Sequence, residues 1–451
     1  MRIHLIAIGG AAMHNLAIAL KINGHDVSGS DDEIFEPSYS RLAKHGLLPL
    51  SVGWSSDNIN EGMDLVILGM HARSDNPELQ AAKQMGLQIM SYPEYIYNSS
   101  LNKKRVVIAG SHGKTSTTSM VLHVLKELKV KFDFMVGAQI SGFETMVSLS
   151  DAPLIVLEGD EYFSSPIDMK AKFLWYKPHV ALITGIAWDH INVYPDIKSY
   201  HKAFESFISS IEKGGSLIYF NGDQALKDQV EKSRNEIKSI PYTEAEHILR
   251  DGSTYLTFGQ EEIEISIFGK HNLQNLQGAR LICTELGIAA VDFNRAIKTF
   301  EGASNRLELV RSSEKLTVYK DFAHSPSKLK ATVLACKEQF PKKKLMALME
   351  LHTFSSLNKE FLAEYGGCMD AADTALVYYS PETVKHKKLD AINPSEIKSA
   401  FKRKDLIVVD QTSDLLEEIR TRLPEHQLFL VMSSGNFGGL KMEDILATNS
   451  F

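Results

Sequence analysis

The strongest constraint on the fold is a set of short, continuous apolar runs, several of them followed by a stretch with helical spacing. Runs of this length suit strands that are covered on both faces, as in parallel sheets. Helical periods such as residues 116–128 and 326–339 alternate with the runs, which predicts stacked βαβ units and an α/β fold. Only residues 252–268 alternate between apolar and polar, which predicts antiparallel strands or a hairpin beside the central sheet. The runs are residues 3–8, 65–68, 106–109, 154–157, 180–184, 345–348, 375–379, 406–409 and 428–432.

Two polar stretches divide these units along the chain. Residues 98–105 precede one βα series, and residues 301–305 precede another. The chain has 451 residues, which at about 150 residues per domain allows two to four compact units. We therefore predict three α/β domains of unequal size, at 1–103, 104–302 and 303–451.

Composition excludes several classes of partner. The chain has 49 Lys+Arg against 56 Asp+Glu, a net charge of −7, which lacks the positive field that nucleic-acid binding requires. Its three cysteines, Cys283, Cys336 and Cys368, are too scattered for a disulfide framework, so we expect a packing role in a reducing compartment. The first apolar run, residues 3–8, ends at Gly9 and is too short for a signal peptide or a membrane helix. We expect a cytoplasmic protein without a membrane partner.

Residues 106–118 run from a buried strand through a Gly-rich turn into a helix, which is the context of a phosphate-binding P-loop. Gly110 and Gly113 let backbone N–H groups converge on phosphate oxygens, and the helix N-terminus adds a positive dipole. Lys114 is expected to reach the β- and γ-phosphates, and the Thr115 hydroxyl to coordinate Mg²⁺. The two glycines are closer together than in the general GxxxxGKS or GxxxxGKT pattern. A turn that binds nothing is disfavoured, because strand, glycines, lysine and hydroxyl residues occur in register.

Further polar residues follow the neighbouring predicted strands, at the edge where ligands collect in α/β sheets. Glu158 is the expected metal carboxylate, and His190 offers an imidazole to metal or phosphate. Asn272 and Asn275 lie three apart at the start of a predicted helix, where two amides can present paired donors and acceptors to a purine edge. An N-cap and a surface amide explain these two residues equally well.

Two further segments, near the start of the sequence and at residues 320–326, carry weaker signals. Gly9 and Gly10 lie between a strand and a helix without a GxGxxG pattern, and Asp31 follows the second strand. This arrangement suits backbone contact with a pyrophosphate and carboxylate contact with a ribose, while it gives little support to NAD binding. Residues 320–326 end a strand with an acid, an imidazole and a proline that opens a helix. Taken alone, this last segment is a turn.

The order and spacing of these motifs resemble those of the Mur ligases, ATP-dependent amide ligases that build and repair the peptidoglycan precursor. Residues 110–118 resemble their GTHGKTTT loop, residues 157–162 their EADEY strand, residues 271–275 their HNxxN adenine site and residues 320–326 their DDFAHHP turn. The resemblance covers almost the whole chain. It implies a Rossmann-like domain that binds a UDP-sugar, a central P-loop domain that binds ATP, and a Rossmann-like domain that binds a peptide.

Within the family, the chain resembles the subgroup that joins UDP-N-acetylmuramate to L-alanyl-γ-D-glutamyl-meso-diaminopimelate in peptidoglycan recycling. This resemblance is carried by residues 27–31, 34–37, 161–162, 321–324 and 431–439, whereas the L-alanine-adding subgroup usually has DYGHHP in the turn. Addition of L-alanine to the same UDP-sugar is the alternative.

The sequence also departs from the family pattern. Ser325 replaces the second histidine of the turn, and His352 stands about where the subgroup has an arginine. Relatives that add later residues often carry a carbamylated lysine where this chain has Phe204, so no carbamate is expected.

The resemblance implies that ATP phosphorylates the lactyl carboxylate of UDP-N-acetylmuramate and that the peptide amine attacks the acyl phosphate. It assigns catalysis to Lys114, Glu158, His190 and His324, and metal binding to Thr115, Glu158 and His190. ATP contacts are assigned to Gly110, Ser111, His112, Gly113, Lys114, Thr115, Ser116, Asn272, Asn275, Arg306 and Asp321. UDP-sugar contacts are assigned to Gly9, Gly10, Asp31 and His71, and peptide contacts to His352, Ser434, Gly435 and Asn436.

Two other function classes compete with this one. A nicotinamide-dependent oxidoreductase requires a full GxGxxG pattern, which the amino end lacks. A regulatory ATPase predicts phosphate release that does not respond to a UDP-sugar. We expect ATP and Mg²⁺ as cofactors, two small-molecule substrates as partners, and a monomer or weak homo-oligomer.

Overall fold

The structure is a computed structural model that describes residues 1–188, 193–233, 236–258, 261–302 and 307–447. Its contacts group the chain into two compact units. The first unit comprises Met1–Ala245 and Gln274–Ile297, and the second comprises Glu246–Leu273 and Lys298–Phe451. Among the described residues, no helix has both the length and the apolar character that crossing a membrane requires.

A four-stranded parallel sheet opens the first unit. Its strands are β1 (Arg2–Ile6), β2 (Asp26–Ser30), β3 (Leu65–Leu68) and β4 (Ile89–Ser91), in the order β2-β1-β3-β4. The helices in this part of the chain are α1 (Ala11–Ile22), α2 (Ser38–Lys44), α3 (Pro77–Gln84) and α4 (Tyr92–Asn98). Asn76 and Ser91 cap α3 and α4 with their side chains, and a proline lies in the first turn of each helix. Because the strands are parallel, Gly9, Gly10 and Asp31 follow strands at the same edge of the sheet.

A seven-stranded sheet follows in the same unit, in the order β13-β12-β11-β5-β8-β6-β7. Its central strand β5 pairs in parallel with β11 and β8, and only the pair β6–β7 is antiparallel. The strands of this part are β5 (Lys104–Ala109), β6 (Asp133–Met135), β7 (Val147–Ser148), β8 (Leu154–Gly159), β9 (Phe163–Ser165), β10 (Asp168–Ala171), β11 (Val180–Ile183), β12 (Ser216–Phe220) and β13 (Lys238–Tyr242), of which β9 and β10 form a separate hairpin. The helices are α5 (Lys114–Glu127), α6 (Ile197–Ser209), α7 (Gln224–Lys232), α8 (Lys270–Glu285) and α9 (Ala290–Ile297).

The second unit contains two sheets. The strands β14 (His247–Arg250), β15 (Ser253–Phe258) and β16 (Glu261–Ile265) form an antiparallel sheet. The other sheet has the order β17-β18-β22-β19-β20-β21 and is parallel apart from the pair β17–β18. Its strands are β17 (Glu308–Ser312), β18 (Thr317–Asp321), β19 (Leu345–Leu351), β20 (Thr374–Tyr379), β21 (Ile407–Val409) and β22 (Leu428–Met432). The helices are α10 (Pro326–Gln339), α11 (Lys359–Leu362), α12 (Pro381–His386), α13 (Pro394–Phe401), α14 (Thr412–Arg422) and α15 (Met442–Ala447), and short 3₁₀ turns occupy Ser56–Asn58, Lys172–Trp175, Ala363–Tyr365, Leu423–Glu425 and Phe437–Gly439.

The predicted α/β fold with parallel sheets is confirmed. Each of the nine apolar runs overlaps a strand, and the run at residues 345–348 is the start of a fully buried one, β19. The prediction for residues 252–268 was right about antiparallel pairing and wrong about position. These strands form a sheet of their own in the second unit, where Gln339 of α10 donates to the Gly252 carbonyl at 2.7 Å and contacts Thr254 Oγ1 at 3.2 Å.

A buried carboxylate joins the first sheet to the segment that precedes α3. Glu78 has no exposed surface, and it accepts hydrogen bonds from Ser30 Oγ, from the Ser55 amide at 3.1 Å and from Asn58 Nδ2 at 2.7 Å. His4 Nε2 lies 3.3 Å from the same carboxylate. Burial alone would raise the pKa of Glu78, but the hydrogen bonds to its ionised form together lower this pKa below the ordinary value.

We predict that Glu78→Ala lowers the free energy of unfolding by about 3 kcal/mol, since removing one partner from a buried charged network leaves the other groups unpaired. Urea unfolding of the full chain at pH 7, followed by circular dichroism, measures the change. The lowered pKa means that the stabilisation is present above about pH 4.3 and is lost as the pH falls through the folded value. Glu61→Ala, at an exposed position, is the control, and equal midpoints for both variants would contradict the prediction.

Candidate active site

The Gly-rich turn between β5 and α5 has a backbone shape that requires glycine at two positions. Gly110 has φ +126° and Gly113 has φ +80°, conformations that L side chains rarely adopt. A Cβ at Gly110 would lie 2.2 Å from Thr184 Oγ1, and a Cβ at Gly113 would lie 2.2 Å from Asn275 Oδ1. The turn is therefore closely packed between the end of β11 and helix α8, with the N-terminus of α5 directly after it.

Lys114 is the first residue of α5, and hydrogen bonds fix its ammonium group beside this turn. Its Nζ donates to the Gly110 carbonyl oxygen at 2.6 Å and to Glu161 Oε2 at 2.8 Å. The Lys114 side chain is 13% exposed and that of Glu161 is fully buried. Burial alone would lower the pKa of Lys114, but the carboxylates of Glu161, Asp160 and Glu158 raise it, so the ammonium stays charged.

Glu158, at the end of β8, lies beside Thr115. Thr115 Oγ1 donates to Glu158 Oε1 at 2.9 Å, and the Gly137 amide donates to Glu158 Oε2 at 3.0 Å. Burial raises the pKa of Glu158, although these hydrogen bonds and Lys114 oppose the shift. A hydroxyl and a carboxylate are the hard oxygen donors that Mg²⁺ prefers. Within the described residues no group of three or more His, Cys, Asp or Glu side chains could hold a metal, and His190, a predicted ligand, lies outside those residues.

The other predicted residues of the loop anchor it to the neighbouring strand. The Ser111 amide and its hydroxyl donate to the Gly185 carbonyl at 2.9 and 3.2 Å, and Thr184 Oγ1 donates to the His112 carbonyl. Ser116 is buried in the first turn of α5. The loop is thus fixed to the residues that follow β11 by three hydrogen bonds.

The two asparagines of the predicted purine site differ in their surroundings. Asn275 is buried and lies against Gly113 of the loop, within the first unit. Asn272 is partly buried, and its Nδ2 donates to the Phe268 carbonyl at 3.1 Å at the start of α8, which differs from an N-cap, whose side chain accepts from a backbone amide. Contact of both amides with a purine stays a prediction.

The predicted UDP-sugar residues meet at the edge of the first sheet. The Gly9 amide donates to Asp31 Oδ2 at 2.7 Å, and a Cβ at Gly10 would lie 3.7 Å from the ring of His71. Burial is the main cause that raises the pKa of Asp31 to about 6, with Asp32 adding to the shift and the Gly9 amide opposing it. The Asp31 carboxyl therefore titrates near pH 6 at this edge of the sheet.

The residues of the predicted turn in the second unit surround the start of α10. Asp321 is buried and accepts from Thr332 Oγ1 at 2.6 Å, while His324 Nδ1 lies 2.9 Å from the Phe322 carbonyl oxygen. Ser325 Oγ is buried and has no hydrogen-bond partner among the described residues. Arg306, predicted to contact the nucleotide, lies outside those residues.

The predicted peptide residues gather around a buried carboxylate that the sequence analysis missed. Glu350, at the end of β19, accepts from Ser433 Oγ and from the Phe437 amide at 3.0 Å, and its Oε1 lies 3.6 Å from His352 Nδ1. A Cβ at Gly435 would lie 2.5 Å from His352 Nδ1, so these residues are in contact. Ser434 Oγ is buried without a hydrogen-bond partner in the part of the chain that is described, whereas Asn436 is exposed and its side chain accepts from the Gly439 amide at 3.2 Å.

The sequence analysis assigned no site role to three residues of these clusters. Glu161 lies in the stretch that resembles the EADEY strand, and Glu350 follows an apolar run at a strand end, which is the signal that identified Glu158, so a consistent use of that rule would have assigned both. Tyr200, whose hydroxyl lies 3.2 Å from both Ser111 Oγ and Glu161 Oε1, gave no signal in the sequence.

Comparison with known proteins identifies the same three parts of the chain. The sequence model "Mur ligase family, catalytic domain" matches residues 2–103, "Mur ligase middle domain" matches residues 108–283, and "Mur ligase, glutamate ligase domain" matches residues 305–435. These matches agree with a three-domain architecture, while the boundaries at 103/104 and 302/303 stay predictions.

Two curated relatives illustrate the range of similarity. The UDP-N-acetylmuramate–L-alanine ligase of Arthrobacter sp. (strain FB24) is 31% identical over 386 residues, which cover 83% of this chain and 80% of that protein. The UDP-N-acetylmuramate–L-alanyl-γ-D-glutamyl-meso-2,6-diaminoheptandioate ligase of Escherichia coli (strain K12) is 28% identical over 462 residues, which cover 99% of this chain and 98% of that protein.

Solved structures share the fold. A murein peptide ligase from Psychrobacter arcticus has a TM-score of 0.66 at 22% identity, with 100% of this chain and 99% of that chain covered. A UDP-N-acetylmuramate–alanine ligase from Thermotoga maritima has a TM-score of 0.72 at 23% identity, with 99% and 97% covered. At this identity the likeness concerns the fold alone.

We predict that Asp31→Asn has a higher thermal midpoint than wild type. The difference between the two midpoints should grow as the pH rises from about 4 to about 6, and it should stay constant above that. The raised pKa means that the folded state disfavours the ionised carboxylate, so wild-type stability is fully present below the ordinary pKa and falls as the pH rises through about 6. Thermal scans of both proteins at several pH values measure the difference. Asp26→Asn, at an exposed position of β2, is the control. A difference that does not change with pH would contradict the prediction.

Proposed function

Because the chain belongs to the Mur ligase family, a family of ATP-dependent ligases, we propose that it joins UDP-N-acetylmuramate to the tripeptide L-alanyl-γ-D-glutamyl-meso-diaminopimelate. The choice of acceptor rests on the share of this chain that aligns with each relative. The E. coli ligase named for that peptide aligns over 99% of this chain, and the Haemophilus influenzae ligase of the same name over 97%. The L-alanine ligase of Arthrobacter aligns over 83% but is slightly more identical, at 31%, so L-alanine is the second candidate acceptor.

The reaction requires activation of a carboxylate. A carboxylate is a poor electrophile because its leaving group would be oxide, and an acyl phosphate replaces one high barrier by two lower ones. An oxygen of the lactyl carboxylate attacks the γ-phosphorus of ATP, and ADP leaves. The amine nitrogen of the acceptor then attacks the acyl carbon, phosphate leaves, and the nitrogen loses a proton.

The residues around the Gly-rich turn suit the first of these steps. The ammonium of Lys114 would neutralise charge on the transferring phosphoryl group, while the helix N-terminus and the amides of the Gly-rich turn other than that of Ser111 would hold the other phosphate oxygens. Thr115 and Glu158, 2.9 Å apart, supply two oxygen donors that fit Mg²⁺. When bound there, Mg²⁺ would add positive charge beside the phosphates. His190 as a further ligand and Arg306 as a nucleotide contact remain part of this proposal.

The substrates would divide between the other two parts of the chain. The UDP-sugar would bind at the turn of Gly9 and Gly10, where the lack of side chains lets a pyrophosphate approach the backbone, with Asp31 and His71 beside it. The Gly9 and Gly10 amides themselves donate to Asp31 Oδ2 and to the Ala7 carbonyl. The acceptor would bind in the second unit, near His324 and near the cluster of Glu350, His352 and Ser434, where a buried carboxylate can attract an ammonium group. We propose only small-molecule partners and a monomer or weak homo-oligomer.

We predict that Lys114→Ala reduces ligation more than about 100-fold, since removing one preorganised electrostatic contact to a reacting group commonly costs that much. The fold should survive, which circular dichroism checks. Phosphate release with ATP, Mg²⁺, UDP-N-acetylmuramate and tripeptide measures the activity. Lys126→Ala, at the other end of α5, is the control, because its ammonium contacts the Gly142 carbonyl instead of the Gly-rich turn. A Lys114→Ala protein with more than a tenth of wild-type turnover would remove this turn from the active site.

The acceptor is tested with one assay. At saturating ATP and UDP-N-acetylmuramate, we expect much faster phosphate release with the tripeptide than with L-alanine, because a site built for several charges leaves them unpaired when it binds the small acceptor. Reactions without acceptor and without UDP-sugar are the controls. A higher kcat/KM for L-alanine would establish the second candidate, and release that does not respond to UDP-N-acetylmuramate would contradict ligation altogether.

A further inference from the structure

The hydroxyl group of Tyr200 lies between the Gly-rich turn and the carboxylate that holds Lys114. Tyr200 belongs to α6 and is fully buried, and its hydroxyl oxygen is 3.2 Å from Ser111 Oγ and 3.2 Å from Glu161 Oε1. Ser111 Oγ directs its own proton to the Gly185 carbonyl. Because an ionised acceptor forms the stronger hydrogen bond, Tyr200 donates its proton mainly to Glu161.

An aromatic cluster fixes the position of this hydroxyl. The Tyr200 ring makes edge contacts with Tyr194 and Phe204, both at centroid distances of 5.2 Å, and Phe204 in turn packs against Phe173 at 5.3 Å. The Tyr194 hydroxyl donates to the backbone carbonyl of Glu161 at 2.6 Å. The ring and the backbone of its carboxylate partner are therefore both held in place.

We propose that Tyr200 is a positioning residue for ligation, which orients Glu161 and through it the ammonium of Lys114. The two oxygens of Glu161 have different partners, since Oε1 accepts from Tyr200 and Oε2 from Lys114. Without the first bond the carboxylate loses a contact that fixes the position of its Oε1, and the position of the ammonium bound to Oε2 changes with it. Small displacements of a group that acts on the transferring phosphoryl reduce the rate strongly. The inference rests on the proposed role of Lys114.

The same hydrogen bond affects the charge of Glu161. A hydrogen bond to the ionised form of a carboxylate favours that form, so loss of the Tyr200 hydroxyl makes Glu161 easier to protonate. Protonated Glu161 no longer attracts Lys114 as an ion pair. The acid side of the pH–rate profile should therefore move to higher pH in a variant that lacks the hydroxyl, which a purely structural role of the ring would not produce.

Tyr200→Phe keeps the ring and removes only the hydroxyl. We expect kcat for acceptor-dependent phosphate release to fall about tenfold, the KM for UDP-N-acetylmuramate to stay within about twofold, and the acid limb of the kcat profile to shift upward in pH. Tyr242→Phe is the matched control, because Tyr242 is also buried but lies on the edge strand β13, three strands from β5. A kcat within twofold of wild type, or an unchanged acid limb, would overturn the proposal.

A double-mutant cycle with Glu161→Gln tests the route of the effect. If Tyr200 acts through Glu161, adding Tyr200→Phe to Glu161→Gln should change kcat by less than about twofold, since the ion pair with Lys114 through which Tyr200 acts is already lost. A further tenfold fall in that background would show that Tyr200 acts by another route and would overturn the proposal. Lys114→Ala, measured in the same assay, distinguishes failure of the positioning role of Tyr200 from failure of the proposed active site. High activity of Lys114→Ala contradicts the active site itself.

Discussion

The candidate nucleotide site depends on the parallel pairing of β5 with a strand on each side. The registers set Ile183 and Gly159 beside Ala109 and Glu158 beside Ile108, so three chain segments leave the sheet at one edge. The Gly-rich turn, the carboxylates after β8 and the residues after β11 meet there for that reason alone. Hydrogen bonds from Ser111 and Thr184 then fix the turn to the next strand. These hydrogen bonds also set the position of Lys114, because helix α5 begins at Lys114, directly after the turn.

Charge balance at this edge is the second constraint. Lys114, Glu158 and Glu161 are all largely buried, and isolated charges at such positions would be expensive. The cluster is stable because each carboxylate accepts hydrogen bonds and the single ammonium lies among the acids. The Lys114 ammonium has three N–H donors, of which two are directed to Gly110 and Glu161, so a phosphate oxygen would add to these partners without replacing the carboxylate. Glu350 in the second unit is held in a similar way by Ser433 and the Phe437 amide.

Much of the fold could be predicted because buried parallel strands and amphipathic helices have strong local patterns. The helix predicted at residues 326–339 has those bounds in the structure, and a buried strand precedes the predicted P-loop. The hairpin at residues 252–268 shows the limit of this reasoning. Alternation predicted its antiparallel pairing, but a strand with one polar face fits beside many surfaces, and contacts distant in sequence, such as those of Gln339, decided its position.

The sequence alone determined the residue types that the chemistry needs, because glycines between an apolar run and a helical stretch, a lysine directly after them and carboxylates after apolar runs are local signals. Tertiary structure decided their partners. Nothing local relates Tyr200 to Ser111, 89 residues away, or Asn275 to Gly113, and only the folded sheet brings these groups within contact. The same holds for charge: Asp31 is an ordinary aspartate in the sequence, and burial beside Asp32 raises its pKa to about 6. The contact partner and the ionisation state of a side chain depend on distances and on solvent exposure, which cannot be read from the order of residues.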